Sequence, residues 1–275
     1  MATLIFDLDG VIWRGDKLVN LRIPSLMESL SKNNHQVYFL TNNSTRSQRG
    51  YQMKLARLGI KAHRDKIICS AHAARAYLES HIVGGHGKRR PGIFVIGEKS
   101  LKNEIGKLPV EMVKLDDDGK VDYVVVGVDR NFTYRKLARA MRAILDGAKF
   151  VATNADKTVP IKNRRMVPGC GSIIAAISTA TNQKPYVVGK PNPFIIRDVL
   201  EKSCSVRRDM YIIGDRLDTD IVLANRLGLR SVLVLSGAAT KEMARKSNGL
   251  SRPEYVIRDI TKIEKVLNLK KKHEN

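Results

Sequence analysis

The chain has 275 residues, 43% of them hydrophobic and 28% charged, the usage of a globular protein with enough apolar sequence to bury a core. Lysine and arginine exceed aspartate and glutamate by 49 − 27 = 22, but aromatic residues are only 5% and no zinc-finger or RNA-binding signature is present, so a solvated basic surface is expected rather than a specific nucleic-acid partner. No run approaches the roughly 18–20 uncharged apolar residues of a membrane helix. The three cysteines, Cys69, Cys170 and Cys204, lack metal or redox spacing, so a cytoplasmic protein with no membrane partner is expected.

Residues 3–6 form a short apolar run that ends at Asp7-Leu8-Asp9-Gly10. A helical stretch around 25–30 leads to a second run, 36–40, closed by Thr41-Asn42-Asn43. Ser44 or Thr45 is expected to cap another helix, which carries Met53, Leu55 and Leu58 and stops at Gly59. The glycine-rich residues 81–87 read as a linker. Strands follow at 93–96 and 123–126, then a helix over 133–146 and a strand at 150–152. That helix is expected to bury one stripe made of Tyr134, Leu137, Ala138, Met141, Ile144 and Leu145. A second linker is expected at 180–184. The runs at 185–188, 210–213 and 231–235 read as further parallel strands of the core sheet. The alternation predicts an α/β fold with a parallel sheet covered on both faces. It also predicts an inserted α/β module between the linkers, dividing the chain into 1–83 with 184–275 and an insert at 84–183. The lysine-rich C-terminus reads as a frayed helix end.

Four short elements, each after a strand, carry the candidate chemistry. Asp7 and Asp9 leave the end of the first strand, where open α/β sheets bind ligands; by itself Asp-x-Asp serves equally as a turn with a helix cap. Thr41-Asn42-Asn43-Ser44 brings a hydroxyl and backbone N–H groups to a strand end, suited to a phosphate or to simple helix capping. Gly189-Lys190-Pro191 supplies a lysine that either reaches an anion as a point charge or lies solvated at the surface. Asp215, Asp218 and Asp220 follow another strand and offer hard oxygen ligands to a cation, or else form one more capped loop.

Together, in this order, the four elements resemble the motifs of the haloacid dehalogenase (HAD) superfamily phosphatases. DLDGVIW, LTNNS, VGKPNP and GDRLDTDI are most similar to subfamily IIA, the branch of NagD-like, 4-nitrophenylphosphatase and phosphoglycolate or pyridoxal phosphate phosphatases. The resemblance covers nearly the whole chain. It implies a Rossmann-like parallel-sheet HAD core with an inserted α/β cap domain of the C2 type. It implies Asp7 as nucleophile, Asp9 as general acid and base, and Mg2+ held by Asp7, the Asp9 carbonyl and Asp215. Asp220 takes the position of a group orienting water at the metal, and Asp218 a variable, structural one. Thr41, Asn42 and Lys190 take the phosphate-binding positions. Asn154, Asp156, Arg164 and Arg165 lie in or near the cap loop that chooses the leaving group, and Asn154, Asp156 and Arg165 are the specificity candidates. Val159 stands where the pyridoxal phosphate phosphatases of this branch carry histidine, which argues against that substrate. The expected partner is a small phosphorylated metabolite, and a homodimer is left open. A basic nucleic-acid-associated protein retaining the fold is one alternative, and a phosphotransferase or mutase with the same catalytic residues is another.

Overall fold

The computed structural model describes residues 1–82, 89–160 and 166–273. In chain order its strands are β1 (Thr3–Asp7), β2 (Trp13–Arg14), β3 (Lys17–Leu18), β4 (Gln36–Thr41), β5 (Ile67–Cys69), β6 (Gly92–Ile96), β7 (Glu111–Val113), β8 (Tyr123–Val126), β9 (Lys149–Ala152), β10 (Thr158–Pro160), β11 (Met166–Pro168), β12 (Tyr186–Val187), β13 (Met210–Gly214), β14 (Arg230–Val234) and β15 (Tyr255–Ile257). The α-helices are α1 (Ile23–Lys32), α2 (Gln48–Arg57), α3 (Ser70–Ile82), α4 (Lys99–Ile105), α5 (Tyr134–Leu145), α6 (Cys170–Thr181), α7 (Arg197–Lys202), α8 (Val222–Arg226), α9 (Lys241–Lys246) and α10 (Ile263–His273). No helix among the described residues is long and apolar enough to cross a membrane.

Two compact units emerge from the packing: Met1–Thr41, Tyr51–Ile68 and Ile196–Asn275 form one, Asn42–Gly50 and Cys69–Ile195 the other. This division runs elsewhere than the expected 1–83 with 184–275 and 84–183. The first unit is built on a six-stranded sheet ordered β15-β14-β13-β1-β4-β5. β1 pairs in parallel with β4 on one side and β13 on the other, and β14 and β15 continue in parallel. All five residues of β1 are buried, as an apolar run without alternation must be when both faces of a sheet are covered.

The second unit carries a five-stranded sheet, β12-β9-β8-β6-β7, in which every pairing is parallel. Its core gathers Phe94, Val124, Val126, Phe150, Ile173 and Ile177 with Ala140, Ala143 and Ile144 of α5. The run at 185–188 is a strand as expected, but Tyr186 and Val187 pair with Val151 and Ala152 of β9 rather than with the sheet of the first unit. Hydrophobicity marks a strand and says nothing about which parallel edge takes it up.

Three local expectations shift by a turn or less. The helix expected from Ser44 or Thr45 starts at Gln48. The Asn43 side chain accepts from the Thr45 N–H (2.9 Å) and hydroxyl (2.7 Å), which holds a turn in front of it. Ser47 then accepts from Gly50 N–H at 3.1 Å. The linker expected at 180–184 begins later, since Ala180 and Thr181 belong to α6 and the left-handed Asn182 (φ 53°) ends it.

The third shift is the register of α5. The helix runs Tyr134–Leu145 within the expected 133–146, and Thr133 caps it, accepting from Lys136 N–H. Of the expected stripe, Ile144 is buried and Leu137 packs against the core, but Ala140 and Ala143 are the other buried residues, while Tyr134, Met141 and Leu145 are exposed. Two apolar stripes exist on this helix, and the small alanines face the sheet because they allow close approach. Of the linker expected at 81–87, His81 and Ile82 end α3 and residues 83–87 lie outside the described residues, as do Arg164 and Arg165. If the alanine-bearing face is the core face, Ile144→Ala should cost about 2–5 kcal/mol. Leu145→Lys should stay within about 0.5 kcal/mol of wild type. Urea denaturation of both variants checks this, and a loss in Leu145→Lys as large as that in Ile144→Ala would restore the stripe read from periodicity, which holds both residues.

Candidate active site

The sheet of the first unit sets its polar residues at one edge. Asp7 is the last residue of β1 and Thr41 the last of β4, its parallel neighbour, while Asp215 directly follows β13, the neighbour on the other side. All three are buried. A π-helical turn, Leu217–Ile221, leads from Asp215 into α8 and turns the fully buried Asp220 toward the same point. Carboxylate oxygens of Asp7, Asp215 and Asp220 lie within 4.8 Å of one another. Three buried carboxylates this close repel unless a cation or protons intervene. All-oxygen donors at this separation suit a hard divalent cation.

The backbone fixes these groups. The Asp215 Oδ2 accepts from Ala238 N–H at 2.7 Å, and the Asp215 carbonyl accepts from Ala239 N–H at 3.0 Å. Room for that carboxylate exists only because residues 10 and 237 are glycines. A Cβ at Gly237 would stand 1.8 Å from Asp215 Oδ2, and one at Gly10, where φ is 83°, would stand 2.3 Å away. Asp220 Oδ2 accepts from Arg216 N–H at 3.2 Å. Asp218 points elsewhere: it is exposed and paired with Arg216 at 3.0 Å. Asp9 lies half-buried just past β1, and its Oδ1 accepts from the Trp13 indole N–H at 2.8 Å. Trp13 stood inside the DLDGVIW motif, but nothing in its spacing said that the ring would turn back onto Asp9.

In the second unit, Asn42, Lys190, Asn154 and Asp156 form a buried or half-buried polar cluster. Asn42 grips the Lys190 backbone at both ends, its Oδ1 accepting from Lys190 N–H (2.8 Å) and its Nδ2 donating to Lys190 O (3.2 Å). Asn42 Nδ2 also reaches Asp156 Oδ1 at 3.4 Å. Lys190 is 4% exposed and Asn154 is 2% exposed. Asn154 Nδ2 donates to Asn42 O (2.9 Å) and Thr153 Oγ1 (3.1 Å), and its Oδ1 accepts from Asp156 N–H (3.1 Å). Every polar atom of that amide is thus engaged inside the unit. Val159 lies on β10 and packs against the core of the second unit. Arg165, the remaining specificity candidate, falls outside the described residues.

Cys170, which stands between two glycines, is no reactive thiol. It is fully buried, and that burial pushes its pKa up to about 12. Burial likewise raises Cys69 to about 11.

Residues 4–111 match the family described as haloacid dehalogenase-like hydrolase, and residues 187–263 match a HAD-hydrolase-like family. Phosphoglycolate phosphatase 1A of Arabidopsis thaliana is 33% identical over 93% of this chain and 74% of its own length. The chain belongs to the haloacid dehalogenase-like hydrolases. Within that family it is similar to a solved glycerol phosphate phosphatase of Mycobacterium tuberculosis in complex with magnesium, with TM-score 0.83, 32% identity, and coverage of 94% of this chain and 75% of that one. It is also similar to a 4-nitrophenylphosphatase of Thermotoga maritima, with TM-score 0.84, 29% identity, and coverage of 96% and 97%. These likenesses place this HAD hydrolase in the NagD-like branch, subfamily IIA.

The glycine beside Asp215 gives a test that needs no substrate. Gly237→Ala should push the Asp215 carboxylate aside and weaken magnesium binding by about 10- to 100-fold, the range seen when supports of metal ligands are lost. Isothermal titration calorimetry with magnesium chloride reads this, with circular dichroism confirming the fold. Unchanged affinity in a folded variant would remove Asp215 from the cation site.

Proposed function

We propose that this HAD hydrolase cleaves small phosphate monoesters through a covalent phosphoryl group on Asp7, with Asp9 as proton carrier and Mg2+ as the metal. The chain is a phosphoric monoester hydrolase by its kinship with the phosphatases named above. The observation that carries the finer reading is the convergence of Asp7, Asp215 and Asp220 at the C-terminal edge of the sheet, with Asp9 two residues beyond Asp7.

The division of labour follows from chemistry. Asp7 ends β1 at a fixed position and offers a carboxylate oxygen to phosphorus. As that O–P bond forms, the bond from phosphorus to the ester oxygen breaks, and Asp9 gives its proton to the departing oxygen. The Asp9 carboxylate left behind then takes a proton from water. The oxygen of that water attacks phosphorus, releasing phosphate and restoring the Asp7 carboxylate. One carboxylate cannot be phosphorylated and carry the proton at the same moment, so two are required. Asp7, Asp215 and the Asp9 carbonyl, with Asp220 behind them, would hold Mg2+, which when bound would supply the positive charge that lowers the repulsion between the Asp7 carboxylate and the phosphate anion. Thr41, Lys190 and the backbone N–H of Asn42, whose side-chain amide is already engaged, are assigned the nonbridging phosphoryl oxygens on the strength of their motifs, where donors stabilise charge as it builds.

These groups see only the phosphoryl moiety common to all monoesters. Choice among substrates is therefore assigned to the segment 84–183, and within it to the loop bearing Asp156 and Arg165. Asn154 shares the loop, but its engaged amide suits support of Asn42 better than contact with a substrate. A reducing cytoplasm is the proposed compartment.

Asp7→Asn keeps the shape of the side chain without its nucleophilic oxygen, so turnover of 4-nitrophenyl phosphate should fall below about 1% of wild type while the unfolding midpoint stays in place. Residual activity above that level, in protein free of other phosphatases, would remove Asp7 as nucleophile. Wild-type activity should also vanish in EDTA, return with magnesium and return poorly with calcium, whose longer bonds and higher coordination suit this attack badly. Equal rates with calcium would contradict the metal assignment.

A further inference from the structure

Trp13 is the only tryptophan of the chain and has no solvent exposure. After Asp9 the backbone turns sharply: Gly10 N–H donates to Trp13 O (2.7 Å), and Ile12 and Trp13 N–H both donate to Leu8 O (2.9 and 3.2 Å). This turn brings residue 13 back against residue 9, and the two backbones form an isolated parallel bridge. Trp13 then opens the β2–β3 hairpin, paired with Leu18.

The indole is itself clamped. Tyr51 stacks parallel to it, 7° between planes and 6.4 Å between centroids, and is 2% exposed. Lys54 holds its ammonium 4.1 Å from the indole centroid and donates to Gly15 O at 2.7 Å, tying α2 to the hairpin loop. A buried indole N–H needs an acceptor, and here the acceptor is Asp9 Oδ1. The ring cannot rotate away without breaking the stack, the cation contact and the hydrogen bond together.

We propose that Trp13 is a positioning residue for Asp9: its indole N–H pins Oδ1, so that the proton passed to the departing oxygen travels on Oδ2. The inference rests on the reading of Asp9 as proton donor. A freely rotating carboxyl would present its proton in the right direction only part of the time. An ester whose leaving oxygen needs that proton pays a rate penalty for poor alignment, whereas a good leaving group escapes it. The indole is therefore needed for one step, proton delivery, and not for attack on phosphorus.

The test compares kcat/KM for phenyl phosphate and 4-nitrophenyl phosphate, which are alike in size but differ in how much the departing oxygen needs a proton. kcat/KM reports the first phosphoryl transfer and excludes the later step in which Asp9 acts as base. Trp13→Phe, which keeps an aromatic ring and loses the N–H, should lower kcat/KM about tenfold for phenyl phosphate and less than about twofold for 4-nitrophenyl phosphate. Asp9→Asn should show the same selectivity more strongly, and the double variant should be no worse than Asp9→Asn, because the indole acts only through that carboxyl. An equal loss on both esters in Trp13→Phe, or an added loss in the double variant, would overturn the inference. If Asp9→Asn shows no leaving-group dependence, the inference falls together with the reading of Asp9 as acid. If Asp9→Asn shows it and Trp13→Phe does not, only the inference falls. Should Trp13→Phe fold poorly, biosynthetic replacement of the single tryptophan by benzothienylalanine exchanges the N–H for sulfur in a ring of nearly the same shape. The same selectivity is expected of it, and uniform activity on both esters would overturn the proposal.

Discussion

Repulsion among Asp7, Asp215 and Asp220 is the constraint around which the first unit is organised. With carboxylate oxygens within 4.8 Å of one another and all three residues buried, each ionised pair opposes folding by on the order of 3 kcal/mol at an effective dielectric of about 20. A chain with no need for the cluster would lose little by replacing one aspartate. The surroundings instead support the charges: backbone N–H groups of Ala238 and Arg216 point at Asp215 and Asp220. Glycines at 10 and 237 let the backbone close around the Asp215 carboxylate without a Cβ in the way. Backbone donors hold a carboxylate in one orientation, but they do not cancel three negative charges. Cancellation is left to a cation, and this is why the donor set reads as a metal site and not as a structural network.

The sheet solves the complementary problem of bringing distant residues to one point. Asp7, Thr41 and Asp215 are 34 and 174 positions apart along the chain, yet they sit at the ends of three adjacent parallel strands. Parallel pairing makes this possible, since every strand then points the same way and all the loops following them emerge at one edge. The register is fixed by full burial of β1 and β13, whose side chains have no solvent-facing alternative.

That geometry explains what could be read from the amino-acid order. A strand followed at once by Asp, Thr or Lys is legible because the apolar run and the polar residue are neighbours in sequence, and Asp7, Thr41 and Asp215 stand where that reasoning put them. The hairpin β2–β3 and the contact of Trp13 with Asp9 depended on a turn of four residues whose direction no periodicity encodes. Asn154 was legible as a member of a cap loop, but its burial was not. Its amide is held by Asn42, 112 positions away, and only the folded chain shows that the polar atoms are already engaged. In α5 the sequence offered two apolar stripes, and hydrophobicity favoured the larger one. Close approach to the sheet selected the stripe bearing Ala140 and Ala143, because small side chains bring a helix nearer to the strands it covers. Strand Tyr186–Val187 failed in a related way: two parallel sheets were available, and a two-residue run carries no mark of either.

Charge acts on two length scales in this protein, with opposite signs. Locally, the edge of the first sheet is a knot of aspartates that repels a phosphate dianion until a cation is bound. Globally, the chain carries a formal excess of 22 positive charges spread along its length. Salt screens both beyond the Debye length of about 8 Å at physiological ionic strength, so an approaching anion feels the net charge, to which a few aspartates contribute little against an excess of 22. The dispersed lysines and arginines supply a mean positive potential that raises the local concentration of anionic solutes without selecting among them. A basic surface of this kind requires no nucleic-acid partner to account for it. On the proposed reading it suits an enzyme whose substrates share only a phosphate and whose assigned reacting residues are themselves negative: attraction would come from the surface as a whole, and chemistry from the few aspartates that oppose it.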